Sequence, residues 1–294
     1  MKKTLIAILL IMALILGITS CGTKTVESSK PVVYASFYPI YDLASKIGGE
    51  KITVRTIIPP GVEPHDWEPT TKDVAEMTKA KTILYLGLGM DSWIDKIKTN
   101  APNVTFYEVS KGVTPIVEGN QTNPHIWLSP KEALTMAKNI NEALQKSFPN
   151  DKDYFEKNYQ TLKTTLETLD KEYTETLSQT KHKTFIVYHS AFDYLARDYG
   201  LKQEALVGSD EEAEVSPARM TEIINLIKSE NIKYIFTEPL TSPKPIQTLA
   251  KEAGVQILSL NTIEGLTKED VKKKEDYISL MKQNLENLKR ALNE

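Results

Sequence analysis

Asn150 to Leu177, NDKDYFEKNYQTLKTTLETLDKEYTETL, contains neither Gly nor Pro. Apolar side chains recur at Phe155, Tyr159, Leu162, Leu166, Leu169, Tyr173 and Leu177, in steps of 4, 3, 4, 3, 4 and 4. That spacing draws one apolar stripe along a helix about 40 Å long, with Lys and Glu on its other faces. A stripe of this kind either pairs with a copy of itself as a coiled coil or packs on structure from its own chain. The flanking sequence supplies such structure. On both sides, short β-branched runs alternate with amphipathic helical stretches, the rhythm of parallel sheets built from β/α units. Strands are expected over 32–37, 52–58, 82–87 and 104–109, and again over 184–188, 204–207, 233–237 and 255–260. The fold class is therefore α/β: two lobes, each a mostly parallel sheet flanked by helices, joined by one long rigid helix. The expected divisions are an N-terminal lobe over 31–149, a linking helix over 150–180 and a C-terminal lobe over 181–294. A last amphipathic helix from Lys272 to Asn293 should cover the core.

Ahead of the first lobe, Lys2 and Lys3 precede an apolar run from Leu5 to Ile18. At about 1.5 Å per residue it reaches roughly 21 Å, short of the ~30 Å of a bilayer core. It reads as the apolar core of a signal peptide over 1–20. Ile18-Thr19-Ser20-Cys21-Gly22 resembles the lipobox of bacterial lipoproteins, in which the Cys is lipidated and becomes the first mature residue. Cys21 is also the only cysteine, so it has no disulfide partner in the chain, and lipidation is the use that fits. The polar stretch up to Lys30 suits a lipidated, flexible tether over 21–30.

The chain beyond Ser20 is long enough for two ordinary domains. With 26% charged and 40% hydrophobic residues, 13 Gly and 15 Pro, it is neither fibrous nor low in complexity. Loss of the signal peptide removes Lys2 and Lys3 and no acid, which takes the formal net charge from −3 to −5. Nothing in that balance favours nucleic acid.

The chain has only four histidines, so each can be weighed. His65 lies in Pro59-Pro60-Gly61-Val62-Glu63-Pro64-His65-Asp66-Trp67-Glu68-Pro69, after the second expected strand. His125 lies in Asn123-Pro124-His125-Ile126-Trp127-Leu128-Ser129-Pro130, just before a helix starting near Lys131. His189 follows Phe185-Ile186-Val187-Tyr188 and precedes a helix over 190–199. Ligand crevices in open α/β sheets lie outside the carboxyl ends of the strands, where His65 and His189 fall; His182 precedes its strand and points to the opposite rim. Neutral imidazole is the commonest metal ligand, and a carboxylate would complete a tetrahedron and offset part of a dication's charge. Strand ends offer two carboxylates, Glu238 after Thr237 and Glu264 after Ile263, and spacing does not choose between them. The long gaps that separate His65, His125, His189 and Glu264 match no zinc-finger pattern.

The lipobox, the Pro-Gly-Val-Glu-Pro-His65-Asp-Trp-Glu-Pro stretch, Asn-Pro-His125-Ile-Trp-Leu and Tyr-His189-Ser-Ala-Phe-Asp-Tyr-Leu-Ala-Arg-Asp-Tyr-Gly-Leu together resemble the zinc and manganese solute-binding lipoproteins of bacterial ABC importers. The resemblance runs through essentially the whole mature chain. It implies a metal held in the cleft between two lobes, with His65, His125 and His189 as ligands and a fourth ligand in Leu260-Asn261-Thr262-Ile263-Glu264. That favours Glu264 and leaves Glu238 a structural or supporting role. It also implies docking on a membrane permease with a separate ATPase; the chain itself has no G-x-x-x-x-G-K-[ST] loop. An extracytoplasmic monomer anchored to the cell membrane is the expected form.

Departures from the family pattern bear on the metal. Zinc-specialised members often carry a long His-rich loop before the second ligand, whereas Val113 to Pro124 is short and has no His. Ser129 stands where members often have Asp. Manganese-binding members typically have Glu and Asp as third and fourth ligands, against His189 and Glu264 here. Three nitrogens and one carboxylate suit four-coordinate Zn²⁺, and more carboxylate would suit the harder Mn²⁺ or iron. Zinc is the expected ligand and manganese the alternative.

Four protein ligands leave no open position for water, so such a site binds rather than catalyses. A zinc hydrolase is the rival, with Glu63, Asp66 or Glu68 as general base, although no H-E-x-x-H is present. A surface adhesin is another. Trp67 and Trp127 read as walls that keep the site dry rather than as a sugar platform. Gly87-Leu88-Gly89 lacks the third Gly of a dinucleotide loop, Ser92 standing in its place.

Overall fold

Val32-Val33-Tyr34-Ala35 forms the first strand, β1, because its β-branched and aromatic side chains suit a pleated surface buried on both faces. The structure, a computed structural model, describes residues 30–65, 67–119, 121–209 and 213–294. The expected signal peptide, Cys21, the tether as far as residue 29 and Asp66 lie outside the described residues.

In chain order the first half contains β1 (Val32–Ala35), α1 (Tyr38–Gly48), β2 (Thr53–Thr56), α2 (Thr71–Met77), β3 (Thr82–Tyr85), α3 (Ile94–Asn100), β4 (Thr105–Glu108), β5 (Val117–Glu118), β6 (Gln121–Thr122) and α4 (Pro130–Ser147). The long helix α5 spans Lys152–Ser178. The second half contains β7 (Thr184–His189), α6 (Asp193–Tyr199), β8 (Lys202–Val207), α7 (Pro217–Glu230), β9 (Tyr234–Thr237), α8 (Lys244–Ala253), β10 (Gln256–Ser259), α9 (Lys268–Lys273) and α10 (Tyr277–Ala291).

The first sheet has the order β2-β1-β3-β4 and is parallel throughout, with Val33 opposite Val54 and Ile83 opposite Phe106. In the second half β7 pairs with β8 and β9 with β10, both parallel, and β7 lies beside β9. Parallel strands separated by helices send all their carboxyl ends to one rim, and it is this rim that positions the site.

The stripe on α5 is used inside the chain. Phe155, Leu162, Leu166, Leu169, Tyr173 and Leu177 are all buried and Tyr159 is half-buried, which removes the surface a coiled coil would need. Burial of each large apolar side chain stabilises by about 1.5–3 kcal/mol. The helix also ties the two halves: Asn158 caps α1 by donating to the Ile47 carbonyl at 3.0 Å, and the Tyr173 hydroxyl donates to the Met281 carbonyl of α10 at 2.7 Å. At the end of α1 only glycine fits position 49. Its φ is +52°, and a Cβ there would lie 2.5 Å from the Tyr154 hydroxyl of α5. One hydrophobic core passes through both halves, from Val33 and Leu43 through Leu166 to Phe185 and Tyr277.

All eight expected strands are present, each trimmed or extended by a few residues. Three features differ from expectation. The helix after His189 starts at Asp193, because Ser190 turns its N–H to the Gly208 carbonyl at 3.0 Å. The single helix expected over 272–293 is two: Lys274 adopts a left-handed φ of 58° that ends α9, and Asp276 opens α10 with a capping box to Ser279. Between β4 and His125, where no strand is expected, β5 and β6 form a short antiparallel hairpin with Gly119 in its turn at a φ of +61°. Among the described residues no helix is long and apolar enough to cross a membrane.

Candidate metal centre

Each candidate donor sits at the end of a rigid element. His65 follows β2 in a loop that turns at Pro59 and Gly61, and its backbone N–H donates to its own neighbour Glu63 at 2.9 Å. His125 stands between Pro124 and a single 3-10 turn, Ile126–Leu128, that leads into α4. His189 is the last residue of β7. Glu264 follows β10 in a loop that starts at Asn261, whose backbone N–H and C=O both bond the Asn284 amide of α10 at 2.7 Å.

That loop is held in a strained form. Ile263, β-branched, has a φ of 55°, a conformation costing of order 1–3 kcal/mol that persists only when its surroundings enforce it. Here they do. Ile263 donates its N–H to the Asn261 side chain at 2.8 Å, and the Thr262 carbonyl accepts the Trp127 indole N–H at 2.7 Å. The Thr262 hydroxyl donates to Glu264 Oε2 at 2.9 Å. The outcome is that Glu264 Oε1 points inward, buried and without a hydrogen-bond partner.

His65, His125, His189 and Glu264 converge around one point, their donor atoms all within 4.8 Å of one another. His125 Nε2 lies 3.1 Å from His65 Nε2 and 3.2 Å from His189 Nε2. Glu264 Oε1 lies 3.3 Å from His125 Nε2, 3.5 Å from His65 Nε2 and 3.9 Å from His189 Nε2. A tetrahedron with metal–ligand bonds of about 2.0–2.1 Å has edges of roughly 3.3–3.4 Å. Five of the six separations, 3.1–3.9 Å, lie near that edge and all six fall within 4.8 Å, too close for four unrelated lone pairs. Two donors, His65 and His125, come from the first half, and two, His189 and Glu264, from the second. Contact between the halves reaches the site rim, where a Cβ on Gly265 would meet the Gly61 backbone nitrogen at 3.4 Å.

The electrostatics divide the donors. Burial pushes the His125 imidazole down to about 3, so it is neutral at physiological pH with a lone pair to offer. Burial also opposes the charge on His65, but the Glu264 carboxylate outweighs it and raises that imidazole above 6.5. Burial works against ionisation of Glu264 as well, yet the facing nitrogens of His125 and His65 and the nearby His189 imidazole hold it well below the usual carboxylate range.

Glu238 stands outside the four. Its Oε2 lies 2.5 Å from His189 Nδ1 and its Oε1 accepts the backbone N–H groups of Tyr188 and His189 at 3.2 Å. A carboxylate behind an imidazole orients the ring and makes its other nitrogen a stronger donor. Trp127 is fully buried with its ring 5.1 Å from that of His125, against Phe37 at 4.8 Å. Trp67 packs edge-on against Trp93 at 5.2 Å. His182 is exposed, away from the site.

Of the general bases a hydrolase would need, Glu63 is turned to the backbone of its own loop and Glu68 is exposed beside Lys96. Ser129 donates to Asp198 of α6 at 2.5 Å, a contact that an Asp at position 129 would turn into repulsion. The residue that sequence reasoning missed is Asn123, whose Oδ1 lies 2.9 Å from His125 Nδ1. Its signal was present in Asn123-Pro124-His125, where an amide two residues ahead of a ligand is in reach of that ligand's ring.

Known proteins share this fold and much of this sequence. The chain is 36% identical to the zinc-binding lipoprotein AdcA of Streptococcus pneumoniae (strain ATCC BAA-255 / R6) over 99% of its own length, and spans 61% of that protein's length. It is equally similar, at 36%, to the high-affinity zinc uptake system protein ZnuA of Bacillus subtilis (strain 168), covering 99% of both chains. Among solved structures, the Zn(II)-bound ZnuA-like domain of Streptococcus pneumoniae AdcA superposes with a TM-score of 0.81 at 38% identity, over 90% of this chain and 100% of that one. The laminin-binding protein Lmb of Streptococcus agalactiae, titled a bifunctional protein with adhesin and metal transporting activity, superposes at 0.84 with 32% identity, over 90% and 100%. The family described as zinc-uptake complex component A, periplasmic, matches residues 33–291, nearly all of the two lobes, and the chain belongs to it.

Proposed function

We propose that this protein captures Zn²⁺ outside the cytoplasm and hands it to the permease of an ABC importer, driven by an ATPase on another polypeptide. Its family is one of metal-uptake components, not of enzymes. The observation that carries the reading is the donor set: three imidazole nitrogens and one carboxylate oxygen at tetrahedral spacing. His65, His125, His189 and Glu264 are the ligands in this reading, and a closed set of four leaves no position for a reactive water. The charge also fits, since Glu264 with Glu238 behind His189 offsets the dication. Cys21 is the lipid anchor, the stretch up to Lys30 the tether, and the working form a monomer on the outer face of the cell membrane.

The test is a chelator-stripped sample titrated with Zn²⁺ and Mn²⁺ against a competing indicator, beside His189→Ala and Glu264→Ala. One tight equivalent of zinc, weakened in both variants, with much weaker Mn²⁺, is the expected result. Tighter Mn²⁺ would keep the importer and change its cargo, and the absence of a saturable site for either ion would overturn the ligand set. A second reading, adhesion, is favoured by the likeness to Lmb; it requires laminin binding that survives His189→Ala.

A further inference from the structure

Asn123 is fully buried and belongs to the first half of the molecule, yet its side-chain partners lie in both. Its amide nitrogen donates to the Ser190 carbonyl at 2.6 Å and to Asp193 Oδ2 at 2.9 Å. A carbonyl oxygen can only accept, and so can an ionised carboxylate. The orientation of this amide is therefore determined by its partners. Its oxygen has to face the other way, toward His125, where it accepts the His125 backbone N–H at 3.0 Å and meets Nδ1 at 2.9 Å.

An oxygen acceptor at that place requires the proton of neutral His125 to sit on Nδ1. Nε2, the nitrogen among the other three donors, then keeps its lone pair free for a metal. The partners of Asn123 are themselves fixed. Asp193 Oδ1 accepts from the Gln203 amide at 2.7 Å, and Gln203 Oε1 accepts the Phe192 N–H at 2.6 Å. The Tyr194 hydroxyl donates to the Asn123 carbonyl at 2.8 Å and accepts the Ile116 N–H at 3.0 Å, which locks the backbone as well.

We infer that Asn123 is a positioning residue that holds His125 in its Nδ1–H tautomer and ties it to the loop following His189, through a relay running Gln203–Asp193–Asn123–His125 from β8 to the site. His189 is oriented by a charged group, Glu238, in direct contact. His125 is oriented by a neutral amide whose direction is imposed from the opposite half of the molecule. Both imidazoles then turn Nε2 to the centre, and the two hydrogen bonds of one amide group add a tie between their elements to the core that the halves share.

The inference rests on the zinc reading for its consequence, but its primary readout needs no metal. The ¹⁵N-labelled, chelator-stripped protein would be examined by long-range ¹H–¹⁵N correlation NMR at pH 7.5, with Asn123→Ala alongside and both titrated with Zn²⁺. The expected result is the Nδ1–H tautomer at His125 in the wild type, a shift toward Nε2–H in Asn123→Ala, and a zinc Kd raised about 10- to 100-fold in the variant. An Nε2–H tautomer in the wild type, or an unchanged tautomer in Asn123→Ala, would overturn it. Should Asn123→Ala fail to fold, the wild-type tautomer alone decides. An Nδ1–H His125 in a wild-type protein with no saturable zinc site would sink the zinc reading and leave the positioning role standing.

Discussion

His65 and His125 offer the same imidazole nitrogen to the same point and are held there in opposite ways. The His125 side chain is wholly buried, backed by Asn123 and walled by Trp127. The His65 side chain keeps 15% of its surface exposed, and its loop is tied through the backbone, by Glu63. His189 and Glu264 side with His125: both side chains are fully buried, with Glu238 and Thr262 bonded to the atoms that do not face the centre. Three donors thus form a preset cup, and the fourth closes it from the solvent side. The protonation follows the same division, with burial forcing neutrality on His125 and Glu264 favouring a proton on His65.

That division orders the effects of substitution. Removing a donor from the cup, His125→Ala, should weaken zinc by more than the roughly 100-fold upper end for outer partners, because it deletes a ligand from a fully buried corner and leaves a void there. His65→Ala should cost less in a competition titration, water being able to reach the vacated corner; a loss equal to that of His125→Ala would break the distinction. Glu238→Gln comes next. It keeps the shape and removes the charge behind His189, for a loss of about 10- to 100-fold in Kd.

Acidification is a graded version of losing His65. Its folded-state pKa is raised, so the His65–Glu264 pairing contributes stability that is complete below 6.5 and is lost as pH rises through the folded value. Zinc must displace that same proton, so affinity should fall by up to about tenfold per pH unit below the raised pKa, read by titrations between pH 8 and 5.5. His125 has the opposite sign. Its pKa is depressed to about 3, so the metal-free protein should lose stability from this group as pH falls from 6.5 toward 3, in a thermal melt series. Thr262→Val acts on folding rather than on a ligand: one hydrogen bond to a charged group is lost, a destabilisation of about 1.5–3 kcal/mol in the same melts.

Much of this was legible in the sequence. The apolar stripe of α5 announced a helix, and the β-branched runs announced the strands, because both patterns report burial on one face or on both. The three histidines stood out by position, but the choice between Glu238 and Glu264 did not follow from strand ends. Both follow strands of one parallel pair, β9 and β10, and what separates them is the left-handed turn at Ile263, for which an isoleucine is no signal. The break between α9 and α10 was hidden for the same reason at Lys274, although Thr267 and Asp276 already carried capping boxes. Asn123 escaped notice because its role depends on Ser190 and Asp193, 67 and 70 residues away, which only the folded chain brings to it.

The central claim is a closed site of three imidazoles and one carboxylate. Zinc K-edge X-ray absorption on the protein loaded with one equivalent tests it most directly. The account predicts four light-atom ligands at about 2.0–2.1 Å with the multiple-scattering signature of three imidazoles, simplified to two in His65→Ala. Five or six ligands in the wild type, or an imidazole count unchanged by His65→Ala, would contradict it.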